Sequence, residues 1–247
     1  MKYAIYSLIL SLVLASSGAL ASNSCQQVFL GEEYLLTRIV EKSLFVKSRD
    51  IYDYRHELHK DFGASLQKLR SDQHWIDMGA GRALAEYDYL KSFKDPRQGA
   101  FVTAVAFKIN RWFGLSSFKG KLQSQEGLFE LMETSNWRKA DLITDLYGVY
   151  SYTKEVHSSL QKMVDLLNVQ GELYITTINF DTSFHLQDGR SVDLRDFLSS
   201  IPGLRVEDQW LHSIKVTKLQ EQIKIPAMKL IYFEESSPPK RSYQVLP

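Results

Sequence analysis

Trp75-Ile76-Asp77-Met78-Gly79-Ala80-Gly81 is an apolar run that ends in a carboxylate and breaks into two glycines. The run reads as a short buried strand, and Arg82 to Phe93, rich in Ala, Leu and Tyr, reads as a helix. Glycines between a strand and a helix let the backbone turn sharply and come close to a ligand with no Cβ in the way. A carboxylate at the strand tip stands at the carboxyl edge of the sheet, where open α/β folds bind ligands. A third glycine is missing, and Ala83 stands in its place. Taken without its flanks, the same stretch is equally a tight turn that binds nothing.

Strands and helices alternate outward from this turn. Ile51, Tyr54, Leu58, Phe62, Leu66 and Leu69 recur at steps of three and four, which predicts a helix from about Ser48 to Arg70. Asp95-Pro96-Arg97-Gln98-Gly99 is a turn, and Ala100 to Phe107 is a buried strand. Ala140-Asp141-Leu142-Ile143-Thr144-Asp145 is again apolar with an acid at its end. A helix from Tyr152 to Leu167, a turn at Asn168-Val169-Gln170-Gly171 and a strand from Glu172 to Ile178 follow. Such alternation means βαβ units and a largely parallel sheet. After a helix near Leu194–Ser199, the runs Leu204–Val206, Ser213–Val216 and Ala227–Phe233 read as strands closing one edge antiparallel. The tail from Glu235 to Pro247 reads as loose. No repeat or linker divides the chain.

The 247 residues suffice for one full-sized α/β domain. With 44% hydrophobic and 24% charged residues, wholesale disorder and coiled coil are excluded. Thirty basic and 29 acidic residues give a net charge of +1, so no nucleic-acid partner is indicated. The single cysteine, Cys25, leaves neither an internal disulfide nor a Cys-rich zinc site. Residues 1–21 read as a signal peptide: Lys2, an uncharged stretch from Ala4 to Ala15, then Ala19-Leu20-Ala21 as a cleavage site. That stretch, about 12 residues, is short of a membrane span. Ser22, three before Cys25, is not aliphatic, which argues against a lipid anchor there. The expectation is an exported protein, periplasmic or secreted, whose residues 22–247 form a single domain with a helical lead-in at 28–71, a core at 72–234 and a loose tail at 235–247. No membrane contact is expected beyond the leader.

From about residue 50 to 233 the chain resembles the class I S-adenosylmethionine-dependent methyltransferases. The resemblance rests on Trp75 to Gly81 as first motif and on Ala140-Asp141-Leu142-Ile143-Thr144-Asp145-Leu146-Tyr147 as the fourth-strand motif. It rests also on Leu166-Leu167-Asn168-Val169-Gln170-Gly171-Glu172-Leu173-Tyr174-Ile175, which looks like the approach to that family's fifth strand. It implies a doubly wound, seven-stranded, mostly parallel sheet with an antiparallel C-terminal hairpin and S-adenosyl-L-methionine across the strand tips. Carried over, Asp77, Met78, Gly79, Ala80 and Gly81 line the cofactor, Glu133 of the third-strand region Phe129-Glu130-Leu131-Met132-Glu133 lies near its adenine, and Asp145 faces the methyl group and an unidentified acceptor, where it can serve as base. Tyr147 and Tyr150 are candidate aromatic walls, Tyr147 equally a core residue.

One departure stands out. That family usually ends its second strand in an acid that accepts from both ribose hydroxyls, whereas here the strand ends Val105-Ala106-Phe107-Lys108. Each missing charge-assisted bond is worth roughly 1.5–3 kcal/mol. An exported chain also lacks an obvious supply of a cytoplasmic cofactor. Methyl transfer therefore stands beside a second reading, an exported protein of the same fold without transfer activity that acts as a ligand-binding or interaction module. Other motifs weigh less. His56-Glu57-Leu58-His59 is not a zinc helix and reads as a solvent-facing surface, and Arg111-Trp112-Phe113-Gly114 reads as core or as a partner surface.

Overall fold

The computed structural model describes residues 49–106, 118, 120–176, 182–209, 213–234 and 240–247. The chain divides into Met1–Phe45 and Val46–Pro247, and every described residue belongs to the second unit. The leader, Cys25, Phe107, Lys108 and Arg111-Trp112-Phe113-Gly114 lie outside the described residues.

β1, His74–Met78, is buried at every position, as a strand covered on both faces must be. It lies between β2, Phe101–Ala106, and β4, Ala140–Leu146, parallel to both. With β3 (Leu122–Glu126), β5 (Leu167–Thr176), β8 (Leu204–Gln209) and β9 (Ser213–Lys218) they form a seven-stranded sheet in the order β3-β2-β1-β4-β5-β9-β8. β9 runs antiparallel to both of its neighbours, and the other pairings from β3 to β5 are parallel. The doubly wound sheet with an antiparallel pair at one edge is the expected one. β3 is missing from the sequence reading, which put the third-strand region at Phe129 to Glu133. Leu122-Gln123-Ser124-Gln125-Glu126 is a polar edge strand with no apolar signature, and Phe129–Leu131 is a single 3-10 turn.

Side chains alternate between two cores. On one face Trp75, Val102, Leu142, Leu146 and Tyr174 pack with α1 (Ile51–Glu57), α2 (Phe62–Lys68) and α3 (Leu84–Lys91). On the other, Ile76, Met78, Ile143, Leu173 and Ile175 pack with α5 (Val156–Leu166) and α6 (Leu194–Ser199). α4, Val149–Tyr152, is a single turn between β4 and α5. The predicted lead-in helix is thus two helices. Its apolar stripe is right, with Tyr54, Leu58, Phe62 and Leu66 all buried. It breaks at Leu58–Asp61 because Asp61 turns to an ionic cluster in which Lys215 Nζ lies 3.1 Å from Asp61 Oδ2 and 3.1 Å from Glu172 Oε1. His56 is exposed as expected, but His59 is buried in that bend. The turn at Asn168 to Gly171 lies within β5 as an irregularity in its pairing with β4, with Gln170 at φ 65°. Lys218, buried on the second face, points its Nζ at the carbonyls of Val164 and Leu167 (2.9 Å each) and so caps the C-terminal end of α5.

The C-terminal third departs most. β10 (Met228–Glu234), expected on the main sheet, belongs to a second sheet of four strands with β11 (Lys240–Val245), β6 (Thr182–His185) and β7 (Ser191–Val192), ordered β10-β11-β6-β7. Within the tail expected to be loose, Lys240–Val245 is therefore a paired strand. Arg241, Tyr243 and Val245 are buried and alternate with more exposed neighbours, the period-2 pattern of a half-covered strand. Phe184 stacks on Phe197 with centroids 4.4 Å apart, and on Tyr243 at 5.9 Å. Tyr243→Ala should cost about 3–5 kcal/mol of unfolding free energy by urea titration. A loss below about 0.5 kcal/mol would show the tail to be an ornament.

Candidate functional site

β1 is the switch point of the sheet: the chain leaves it for β2 on one side and reaches β4 on the other, and a crevice opens at such a point beyond the strand ends. The turn that follows β1 is left-handed at Gly79 (φ 101°) and Gly81 (φ 56°). A Cβ at Gly79 would lie 2.5 Å from Gly148 Cα, and one at Gly148 would lie 1.8 Å from the Met78 carbonyl oxygen. The backbones after β1 and β4 therefore touch, and only glycines fit the contact. Gly79 remains half-buried, while Met78, Ala80 and Gly81 are buried. The amides of Gly79 and Ala80 both donate to the Val105 carbonyl (2.8 and 3.0 Å), which ties the turn to β2. Ala83 takes φ 56° at the N-terminus of α3, a conformation that glycine adopts freely and alanine at a cost of about 1–2 kcal/mol.

Asp77, expected to line the cofactor, lies inside the protein. It is 0% exposed. Tyr54 Oη of α1 donates to its Oδ2 at 2.6 Å, and Thr144 Oγ1 of β4 donates to its Oδ1 at 2.5 Å. Thr144 in turn accepts from Trp75 Nε1 at 2.8 Å. Glu86 of α3 is equally buried, and its carboxyl oxygens meet no hydrogen-bond partner among the described residues. Burial, and then the charge of Asp77, push the pKa of Glu86 well up, which favours the protonated form. Burial raises Asp77 too, against the lowering pull of its neighbour Glu86 and of its bonds from Thr144 and Tyr54.

Asp145 lies on the opposite face. Register pairs Asp77 with Thr144, so Thr144 shares the face of Asp77 and Asp145 points the other way. It is fully buried, with Oδ1 accepting the Gly148 amide (2.7 Å) and Oδ2 the Tyr150 amide (2.8 Å). Burial brings its pKa up to about 7 against those two bonds. Asp145, expected as a base beside the methyl group, thus has each oxygen accepting one amide of its own loop. Arg241 of β11 completes that loop from the far end. Its Nη1 donates to the carbonyls of Tyr150 (2.8 Å) and Thr153, and its Nη2 to Thr182 Oγ1 (2.8 Å). α4 is thus held by an anion at its amide end and a cation at its carbonyl end. Tyr150 is buried beneath the Arg241 guanidinium and is not a wall of the crevice.

Glu133 is placed away from the tips by the same shift that moved the third strand. It lies past the 3-10 turn, exposed, accepting from the Ser135 amide at 2.8 Å, which holds its pKa down. The acid that ends β3 is Glu126.

Tyr147 follows the last residue of β4 and packs against the core that holds Tyr54 and Trp75. It is half-buried, with φ 51° and its amide on the Thr176 carbonyl (3.2 Å). Strain of this kind in a non-glycine residue gathers at functional sites. Its Oη donates to Glu57 Oε2 at 3.1 Å, and Arg49 lies over its ring. Sequence reasoning missed Tyr54, Glu86, Thr144, Gly148, Arg49 and Glu57. A signal existed for Glu86, an acid on the apolar stripe Ala85, Tyr89, Leu90.

The protonation of Glu86 has a testable consequence. Unfolded, Glu86 gives up its proton above about pH 4.3, while the folded form keeps it, so it costs stability as pH rises. Glu86→Gln keeps the shape of the side chain without that cost. Its unfolding free energy relative to wild type should therefore improve as pH rises above about pH 4.3. A constant difference would show that Glu86 ionises in the folded protein.

No family model matches the chain, and no curated protein matches it in sequence. Among solved structures, it is similar to an rRNA methylase from Streptococcus thermophilus, with 13% identity and a TM-score of 0.43 over 66% of this chain and 96% of that one. It is also similar to the N-methyltransferase NodS from Bradyrhizobium japonicum, with 11% identity and a TM-score of 0.47 over 69% of this chain and 97% of that one. A geranyl diphosphate methyltransferase in complex with S-adenosylmethionine gives 14% identity and a TM-score of 0.35 over 46% of this chain and 45% of that one. The strand order β3-β2-β1-β4-β5-β9-β8, with the antiparallel β9 set between β5 and β8, is the class I methyltransferase-like fold.

Proposed function

We propose that the chain binds S-adenosylmethionine over the Gly79–Gly81 turn and transfers its methyl group to an acceptor that enters over Tyr147. The observation that carries this reading is the left-handed glycine turn at the switch point, half-open at Gly79 where a ligand can meet bare backbone. The residues fit the cofactor through that backbone and not through the two carboxylates, whose oxygens are engaged inside the protein. When bound, the cofactor supplies an already activated methyl group, so alignment contributes most of the acceleration. The chain's part is to hold the turn rigid, to wall the mouth with Tyr147 and to keep both carboxylates away from the reacting atoms. With Asp145 turned away, an acceptor proton goes to Glu57 at the mouth or to water.

A second reading, the same fold binding a ligand without transfer, is favoured by the engaged state of Asp77 and Asp145. Export through residues 1–21 belongs to either reading and is supported by the sequence of that segment. No helix among the described residues is long and apolar enough to cross a membrane.

Calorimetric titration of the full chain with S-adenosylmethionine should give a micromolar dissociation constant. Gly81→Val should abolish the heat while leaving the melting transition, since a β-branched residue at φ 56° both strains the turn and blocks the approach. Binding without methyl transfer to any acceptor in a screen selects the second reading. No binding at millimolar cofactor overturns the first.

A further inference from the structure

The end of β4 already holds a cation. Arg49, half-buried just ahead of α1, places its guanidinium carbon 5.0 Å from the centroid of the Tyr147 ring, and its Nη1 donates to the Leu146 carbonyl at 3.2 Å. Glu57, exposed, stands beside the same ring as acceptor of the Tyr147 hydroxyl. An aromatic face, a backbone carbonyl and a nearby carboxylate are the three elements that recognise an alkylammonium or guanidinium group. Tyr147 presents its ring from a strained left-handed backbone, so the ring is held in that place by the fold rather than by local preference.

We propose that the β4 tip is a cation site, that Arg49 is its internal occupant, and that the molecule which displaces Arg49 is a protonated amine or guanidinium compound. As the identity of a methyl acceptor this rests on the reading above, but cation binding itself does not. A neutral or anionic ligand would meet the ring without the electrostatic attraction and would gain nothing from the removal of Arg49.

The test uses the full chain and two probes of similar length, agmatine (cationic) and pentylurea (neutral), titrated by calorimetry without S-adenosylmethionine. Arg49→Ala should bind agmatine at least about tenfold more tightly than wild type, with no comparable gain for pentylurea. Tyr147→Asn on that background removes the ring while keeping a residue that tolerates φ 51°, and should lose the gain with the melting transition retained. Glu57→Gln on the same background should weaken agmatine in a salt-dependent way. Equal gain for both probes, or no gain for agmatine in a folded Arg49→Ala chain, overturns the proposal. A chain that binds S-adenosylmethionine yet shows no agmatine gain loses the cation site and keeps methyl transfer. One that gains agmatine affinity without binding S-adenosylmethionine keeps the cation site and loses methyl transfer.

Discussion

Asp77 cannot leave the end of β1 without unpairing two other elements. Tyr54 fixes α1 to it and Thr144 fixes β4. A buried donor left without its acceptor costs about 1–3 kcal/mol, and here both would be stranded together. The glycine turn begins two residues later, so its shape is inherited from this hub. The contact of Gly79 with Gly148 then fixes the spacing of the β1 and β4 tips.

The second constraint is the period of the strands. Because Asp77 and Thr144 share a face, the carboxylate of Asp145 is committed to the other, where it and Arg241 grip the two ends of α4. The acids near the ends of β1 and β4 are thus both buried and hydrogen-bonded, one on each face of the sheet. What remains open to a ligand is backbone at Gly79 and the group around Tyr147, whose hydroxyl, half-buried and close to Glu57, is pushed up to about 12 and stays protonated as a donor. A site of this make-up binds by shape and orientation. That suits a reaction in which the leaving group is activated in advance.

The parallel core was legible because its strands are continuous apolar runs and its helices keep their stripe; Tyr54, Leu58, Phe62 and Leu66 announce their face. β3 was illegible because an edge strand of Leu, Gln, Ser, Gln and Glu carries no apolar pattern, and the misplacement of Glu133 followed from it. β11 was legible in principle: Arg241, Tyr243 and Val245 alternate with polar residues, but a basic residue in the buried set and two prolines just before it concealed the strand. The chemistry of the carboxylates could not be read from composition at all. Whether Asp77 meets a ligand or a tyrosine depends on where α1 folds back, and the face of Asp145 depends on the register between β1 and β4. The burial of Arg241 against carbonyls likewise follows from a second sheet that local sequence patterns do not pair.

In the proposed site, ligand meets backbone at the glycine turn while the carboxylates stay inside. A crystal structure of the full chain grown with S-adenosylmethionine tests it directly. The account predicts the ligand over Gly79 to Gly81, with the bonds from Tyr54 and Thr144 to Asp77 and the amide bonds to Asp145 intact. A ligand held by the carboxylate of Asp77 or Asp145, with Tyr54 or Gly148 released, would contradict it.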